Sequence, residues 1–222
     1  MCPARPSHTV LWVIDDFIGE PGGAPERLPL LNPDHLDEAQ REVYRAVTAG
    51  PRKDRNPPFR SQDEKGHLLG PFNAMLYAPS VGMPLQDLGA ALRFRTNLSK
   101  REREIAILLV AAHARSAYEW YAHERLGGRA GLSDAEMTAI RLGHAPVLGD
   151  VRERVIYEAV RSLTLDRDLG DALFTEAVSI LGRPTLVELV TLVGYYQALA
   201  LQLTVFRTGL PDGEPAPRWE EE

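Results

Sequence analysis

"SKREREIAILLVAAHARSAYEWYAH", residues 99–123, begins charged, runs through eight apolar or small residues, and ends in a cluster of aromatic and titratable side chains. No strict alternation marks it as a strand, so it reads as two helices joined by a turn near Ala114 and Arg115. On the second helix Ser116, Glu119 and His123 stand at spacings of three and four and share one face. Two readings of that face are open. Ser-x-x-Glu is the signature of a helix N-terminal capping box, in which the hydroxyl accepts from a backbone N–H and the carboxylate reaches back. The chain repeats it at Ser99/Glu102, Ser133/Glu136 and Thr185/Glu188, and Glu119/His123 is also an ordinary i, i+4 pair. The other reading is a catalytic cluster. Tyr118, Trp120 and Tyr121 surround the polar residues, and aromatic walls desolvate a carboxyl and raise its pKa, as acid–base work near neutrality requires. Glu104 lies twelve residues before Ser116, and a turn between the helices would bring it back beside Glu119 and His123 as a coupled proton relay.

Working outward, the rest of the chain from Asp37 onward is also helical by pattern. A helix over "DEAQREVYRAVTAG" ends at Gly50, and residues 51–71 form a loop rich in Pro, Arg and Asp. Two helical segments follow, with breaks at Pro79 and Pro84. Beyond the opening stretch come a short helix at "SDAEMTAIRLG", two more at "DVRERVIYEAVRSL" and "DALFTEAVSILG", and a last one at "TLVELVTLVGYYQALALQLTVF". This last helix is apolar nearly all round, which implies central burial or a subunit interface. Only "TVLWV" near the N-terminus alternates. The expectation is an all-α protein with an arm or linker over residues 1–27 and one helical domain over residues 28–222.

Composition limits the function classes. With 44% hydrophobic and 25% charged residues in 222, the chain has the balance of a globular protein able to bury a core. A net charge of −6 argues against a nucleic-acid partner. The densest basic stretches, Arg93 to Arg103 and Arg52 to Arg55, read as solvated faces. One cysteine, Cys2, excludes an internal disulfide or thiolate-rich metal site. "TVLWVI" is too short for a signal-peptide core, and no stretch approaches the length of a membrane span, so a cytoplasmic setting is expected.

The ladder Glu104, Ser116, Glu119, His123 resembles the motif of the carboxymuconolactone decarboxylase family, which includes the alkylhydroperoxidase D proteins. That motif is a Glu, a Cys twelve residues on, a second Cys three further, and a His four beyond. Every spacing matches, and Ser116 and Glu119 stand where the thiols would be. The resemblance extends through "GPFNAMLYAPSVG" upstream and "LVGYYQALALQLTVFRTGLP" downstream, roughly residues 28–212. It implies an alkylhydroperoxidase D-like helical bundle, assembled as a homo-oligomer, a trimer or larger ring. Peroxide reduction by the dithiol route needs a thiolate and a resolving thiol, which Ser and Glu cannot supply.

The expected activity is therefore acid–base chemistry without a cofactor, of decarboxylase or lyase, isomerase or lactone hydrolase type, on a small carboxylated or lactone-like metabolite. His123, Glu119, Glu104 and Ser116 are the candidate catalytic residues. Tyr118, Trp120, Tyr196, Asn73, Phe72 and Arg95 are the candidate substrate contacts, with Arg103 an alternative cation for Arg95. His113 reads as a core histidine that could join the cluster, and no metal is expected. Gly194 is read as a site of close helix approach beside Tyr195 and Tyr196. The alternative from another class is a non-catalytic binding or structural homo-oligomer.

Overall fold

A computed structural model describes residues 26–49 and 58–220, and among them the fold is all-helical. After a short 3-10 turn at Pro33–His35 come α1 (Glu38–Ala49), α2 (Pro71–Tyr77), α3 (Pro79–Phe94), α4 (Lys100–His113), α5 (Ala117–Ala130), α6 (Asp134–Arg141), α7 (Val151–Leu165), α8 (Asp171–Leu181) and α9 (Arg183–Val205). The described residues contain no strand, only one isolated bridge between Gln62 and Leu68. The expected arm, its alternating "TVLWV", Cys2 and the basic stretch at Arg52 lie outside the described residues, apart from Glu26 and Arg27. Arg27 donates its backbone N–H to the Phe206 carbonyl at 2.9 Å, so the chain enters beside the end of α9.

The stretch that opens the argument forms the centre of the bundle. Ile105, Ala106, Ile107, Leu108 and Ala111 of α4 are fully buried, because that helix is apolar around its circumference from Ile105 onward and is packed by α5, α7 and α9. The chain reverses within three residues. Arg115 takes a left-handed φ of +47°, the Ser116 N–H donates back to the Ala111 carbonyl, and α5 returns alongside α4. A short connection of this kind makes the two helices antiparallel neighbours, which is what brings Glu104 level with His123.

Pro79 opens α3 at its first position, where a missing N–H costs nothing. Pro84 does not break that helix, contrary to expectation. It lies within α3 on the solvent side, where the carbonyl it leaves unpaired can be hydrated. Glycine is required at two close approaches. A Cβ on Gly70, itself at φ +63°, would meet the Tyr118 ring at 2.1 Å, and one on Gly82 would meet the Met75 carbonyl oxygen at 2.2 Å. Gly194 is not such a place, since nothing lies within 4 Å of a Cβ there.

The last helix corrects one expectation. α9 runs 23 residues with a mean hydropathy of 1.4 over its most apolar window, long and apolar enough by composition to cross a membrane. Half of it is buried inside the bundle. Leu189 and Leu192 join Ile105, Leu108 and Ile156 in one core, which accounts for that apolar character by packing.

Candidate active site

The four Ser/Thr-x-x-Glu signatures read above as helix starts have three different outcomes. At Ser99 and Ser133 the capping box is complete. The Glu102 N–H donates to the Ser99 hydroxyl at 3.1 Å while Glu102 accepts from the Ser99 N–H at 2.7 Å, and Ser133 with Glu136 does the same. Thr185 falls inside α9, whose cap is Gly182, and Glu188 instead binds the backbone and side-chain N–H groups of Asn97. Ser116 does occupy the N-cap of α5, but makes no capping hydrogen bond. Its ψ is 98°, against 164° and 157° at the two true boxes. Glu119 does not turn back to the cap. It faces a cleft.

That cleft has a volume of about 1210 Å³ and lies between α3, α4, α5 and α9, roofed by the loop at Pro58–Gln62. Glu104, Glu119 and His123 all line it. His123 Nδ1 lies 2.6 Å from Glu104 Oε2, both side chains buried. The Tyr196 ring stands edge-on to the imidazole at 5.1 Å and 88°, fixing its plane. Since Nδ1 is bonded to a carboxylate, it carries the proton and Nε2 carries the lone pair.

The two carboxyls are driven apart. Burial raises Glu104, but the adjacent His123, helped by Arg93 and Arg103, outweighs it and holds the group below its ordinary range. Burial pushes the His123 imidazole down, against an upward pull from Glu104. Glu119 has no such cation. Burial pushes it up to about 8, and the nearby Ser116 hydroxyl draws it only partly back. Neither Glu119 oxygen nor Ser116 Oγ makes a hydrogen bond of ordinary geometry. One carboxyl thus stays ionised and the other protonated at neutral pH, the arrangement that assigns separate acid and base roles.

The other expected contacts divide. Phe72, Tyr118 and Tyr196 line the cleft, with Tyr195 beside them. Tyr118 presents only its ring, because its hydroxyl donates to the Arg60 carbonyl at 2.9 Å and so ties down the roof loop. Three assignments are corrected. Trp120 faces the core and packs edge-on against Trp219 at 5.8 Å. The Asn73 side chain holds the entering chain instead, accepting from the Leu31 N–H and donating to the Pro29 carbonyl. Arg95 is exposed and lies outside the cleft wall.

His113, expected in the core, is exposed at the end of α4. Among the described residues no group of His, Cys, Asp and Glu is arranged to hold a metal ion. The sequence reading missed Arg93 and Lys100, which line the cleft with Arg103. Their signal was present. Lys100, Arg103 and Glu104 follow helical spacing on one face of α4, while Arg101 points away to Glu136 and Glu153.

A buried imidazole–carboxylate pair facing a protonated carboxyl in an all-helical bundle defines a candidate acid–base site on a scaffold known from solved structures. The chain has the alkylhydroperoxidase D-like fold. An uncharacterized peroxidase-related protein from Ralstonia eutropha JMP134, described as an alkylhydroperoxidase AhpD core, superposes with a TM-score of 0.66 at 14% identity, covering 86% of this chain and 95% of that one. The debrominase Bmp8, solved with 2,3,4-tribromopyrrole, gives 0.63 at 11% identity over 85% and 93%. A protein of unknown function from Agrobacterium tumefaciens, a putative antioxidant defence protein AhpD, gives 0.56 at 18% identity over 63% and 96%. No curated protein sequence matches the chain. Residues 79–162 match the carboxymuconolactone decarboxylase family, on the fold that the chain shares with these solved structures. That match holds the whole ladder from Glu104 to His123 and is shorter than the span the resemblance suggested.

Proposed function

We propose that this protein is an acid–base enzyme acting on a small carboxylated or lactone-like metabolite, with Glu119 as the acid and His123, held by Glu104, as the base. The observation that carries this reading is Glu119: a buried carboxyl with only the Ser116 hydroxyl near it, protonated near neutrality and facing the cleft beside a paired imidazole. Nothing structural is gained by burying a carboxyl with so little to satisfy it. In a decarboxylation the C–C bond to the carboxylate breaks, CO2 leaves, and its electron pair stays on the substrate as an enolate. The Glu119 proton then forms the new C–H bond. In an isomerisation His123 Nε2 takes a proton from carbon, and Glu119 returns one elsewhere. Both need a proton donor in the cleft, which Glu119 supplies, and the isomerisation also needs the unprotonated His123 as its base.

Dithiol peroxide reduction is disfavoured by the chain itself, whose positions 116 and 119 hold Ser and Glu. The test is turnover of a panel of lactone acids and β-keto acids by the wild type, Glu119→Gln and His123→Ala. Each variant is expected to lose roughly 10²–10⁴-fold in rate. Unchanged turnover in both would overturn the acid–base assignment, and dithiol-dependent peroxide turnover by Cys2→Ala would restore the other chemistry.

A further inference from the structure

The cleft carries more positive charge than an acid–base pair requires. Arg103 is only 7% exposed and lines the cleft, yet its Nε has no hydrogen-bond partner. The nearest carboxylate atom is Glu104 Oε1, 3.8 Å away, too far for a hydrogen bond. Glu104 Oε2 is already taken by His123. One buried carboxylate therefore stands between a permanent cation and an imidazole. Around them, Arg93 faces the cleft from α3, Lys100 from the start of α4, Arg129 and Glu119 from α5, and Tyr196 from α9. Glu104 and Glu119 are the acidic residues in this wall, and Glu119 holds its proton at neutral pH. A protein of net charge −6 thus lines its cleft with basic groups, which draws anions in from solution.

We propose that the cleft seats a small carboxylate on Arg103, and that its binding draws one proton from solvent onto the His123–Glu104 pair. In the resting site the Glu104 charge answers Arg103, and a protonated imidazole would leave one buried positive charge in excess. A bound carboxylate answers Arg103 instead, and Glu104 is then free to pair with an imidazolium, a state that serves the decarboxylation written above, which needs no base, and not the isomerisation. Arg103 and Arg93 both oppose protonation of His123 in the resting site, so neutralising them removes that opposition. The only bond made beyond the ion pair is N–H on the imidazole, with the proton supplied by water or buffer. The aromatic rings of Phe72, Phe94 and Tyr196 in the same wall favour an acid with an apolar body.

This inference uses the cleft proposed above but not its turnover, so benzoate, which offers no labile group, separates the two. Calorimetric titration of benzoate near pH 7, in two buffers of different ionisation enthalpy, reads the protons taken up. Uptake approaching one is expected in the wild type, with affinity weakening about tenfold per pH unit upward. Glu119→Gln should keep the uptake and His123→Gln should abolish it while still binding. Arg103→Met should weaken binding at least tenfold, with Arg103→Lys recovering part of it. Absence of benzoate binding, binding without proton uptake in the wild type, uptake that vanishes in Glu119→Gln, or unaltered affinity in Arg103→Met would each overturn the proposal. The two wild-type readouts decide it even where an Arg103 variant does not fold.

Discussion

Glu119 is 3% exposed and neither carboxyl oxygen makes a hydrogen bond of ordinary geometry, so folding keeps on it a proton that the unfolded chain releases. Its ordinary value is 4.5, and burial carries it to about 8. Between those values the unfolded state binds fewer protons than the folded one, and stability falls as pH rises. Across the whole window the loss is on the order of 5 kcal/mol, at 1.36 kcal/mol per pKa unit. Glu119→Gln removes the titration while conserving shape. Thermal melts should show the variant gaining on the wild type steadily from about pH 5 to 8, the range in which its activity is expected to be lost. Parallel melting curves would mean that Glu119 does not titrate there. The pairing of a stability gain with an activity loss is what a carboxyl kept for chemistry produces.

At the scale of helices, the repeated Ser-x-x-Glu pattern provides an internal control. Ser133 bonds the Glu136 N–H, so Ser133→Ala should cost about 1 kcal/mol in denaturant unfolding. Ser116 holds the same N-cap position on α5 without that bond, and Ser116→Ala should cost well under half as much. Equal costs would show that Ser116 caps its helix in solution. The difference comes from the turn before α5. Arg115 in the left-handed region sets the Ser116 backbone angle, and the α4–α5 packing holds Glu119 inward.

At the scale of the molecule, α9 leaves an apolar face uncovered. Val187 and Leu201 are 65% and 64% exposed, with Val190 and Val205 on the same side. We propose that this face packs against a second copy, since an apolar patch of this kind suits a contact and the family resemblance implies a homo-oligomer. Light scattering coupled to size exclusion should therefore find more than one copy, and Leu201→Glu should reduce the assembled mass while leaving the helical content intact. A monomeric wild type would overturn this expectation.

The amino-acid sequence by itself determined the all-helical class and the order of its helices, because apolar periodicity and capping residues are local signals read within a few turns. Through the family resemblance it also determined the ladder from Glu104 to His123, whose local pattern alone left a cap and a site both open. It placed Phe72, Tyr118 and Tyr196 near the site. Only the tertiary structure decided which of two identical local patterns is a cap and which faces a cleft, because that depends on what α4, α3 and α9 place opposite the helix. It moved Trp120, Asn73 and Arg95 out of the site, and brought in Arg93 and Lys100 from what reads in sequence as a solvated basic stretch. It also held Glu119 protonated. Charge state is set by burial and by the cations within reach, and both are properties of neighbours distant in the chain.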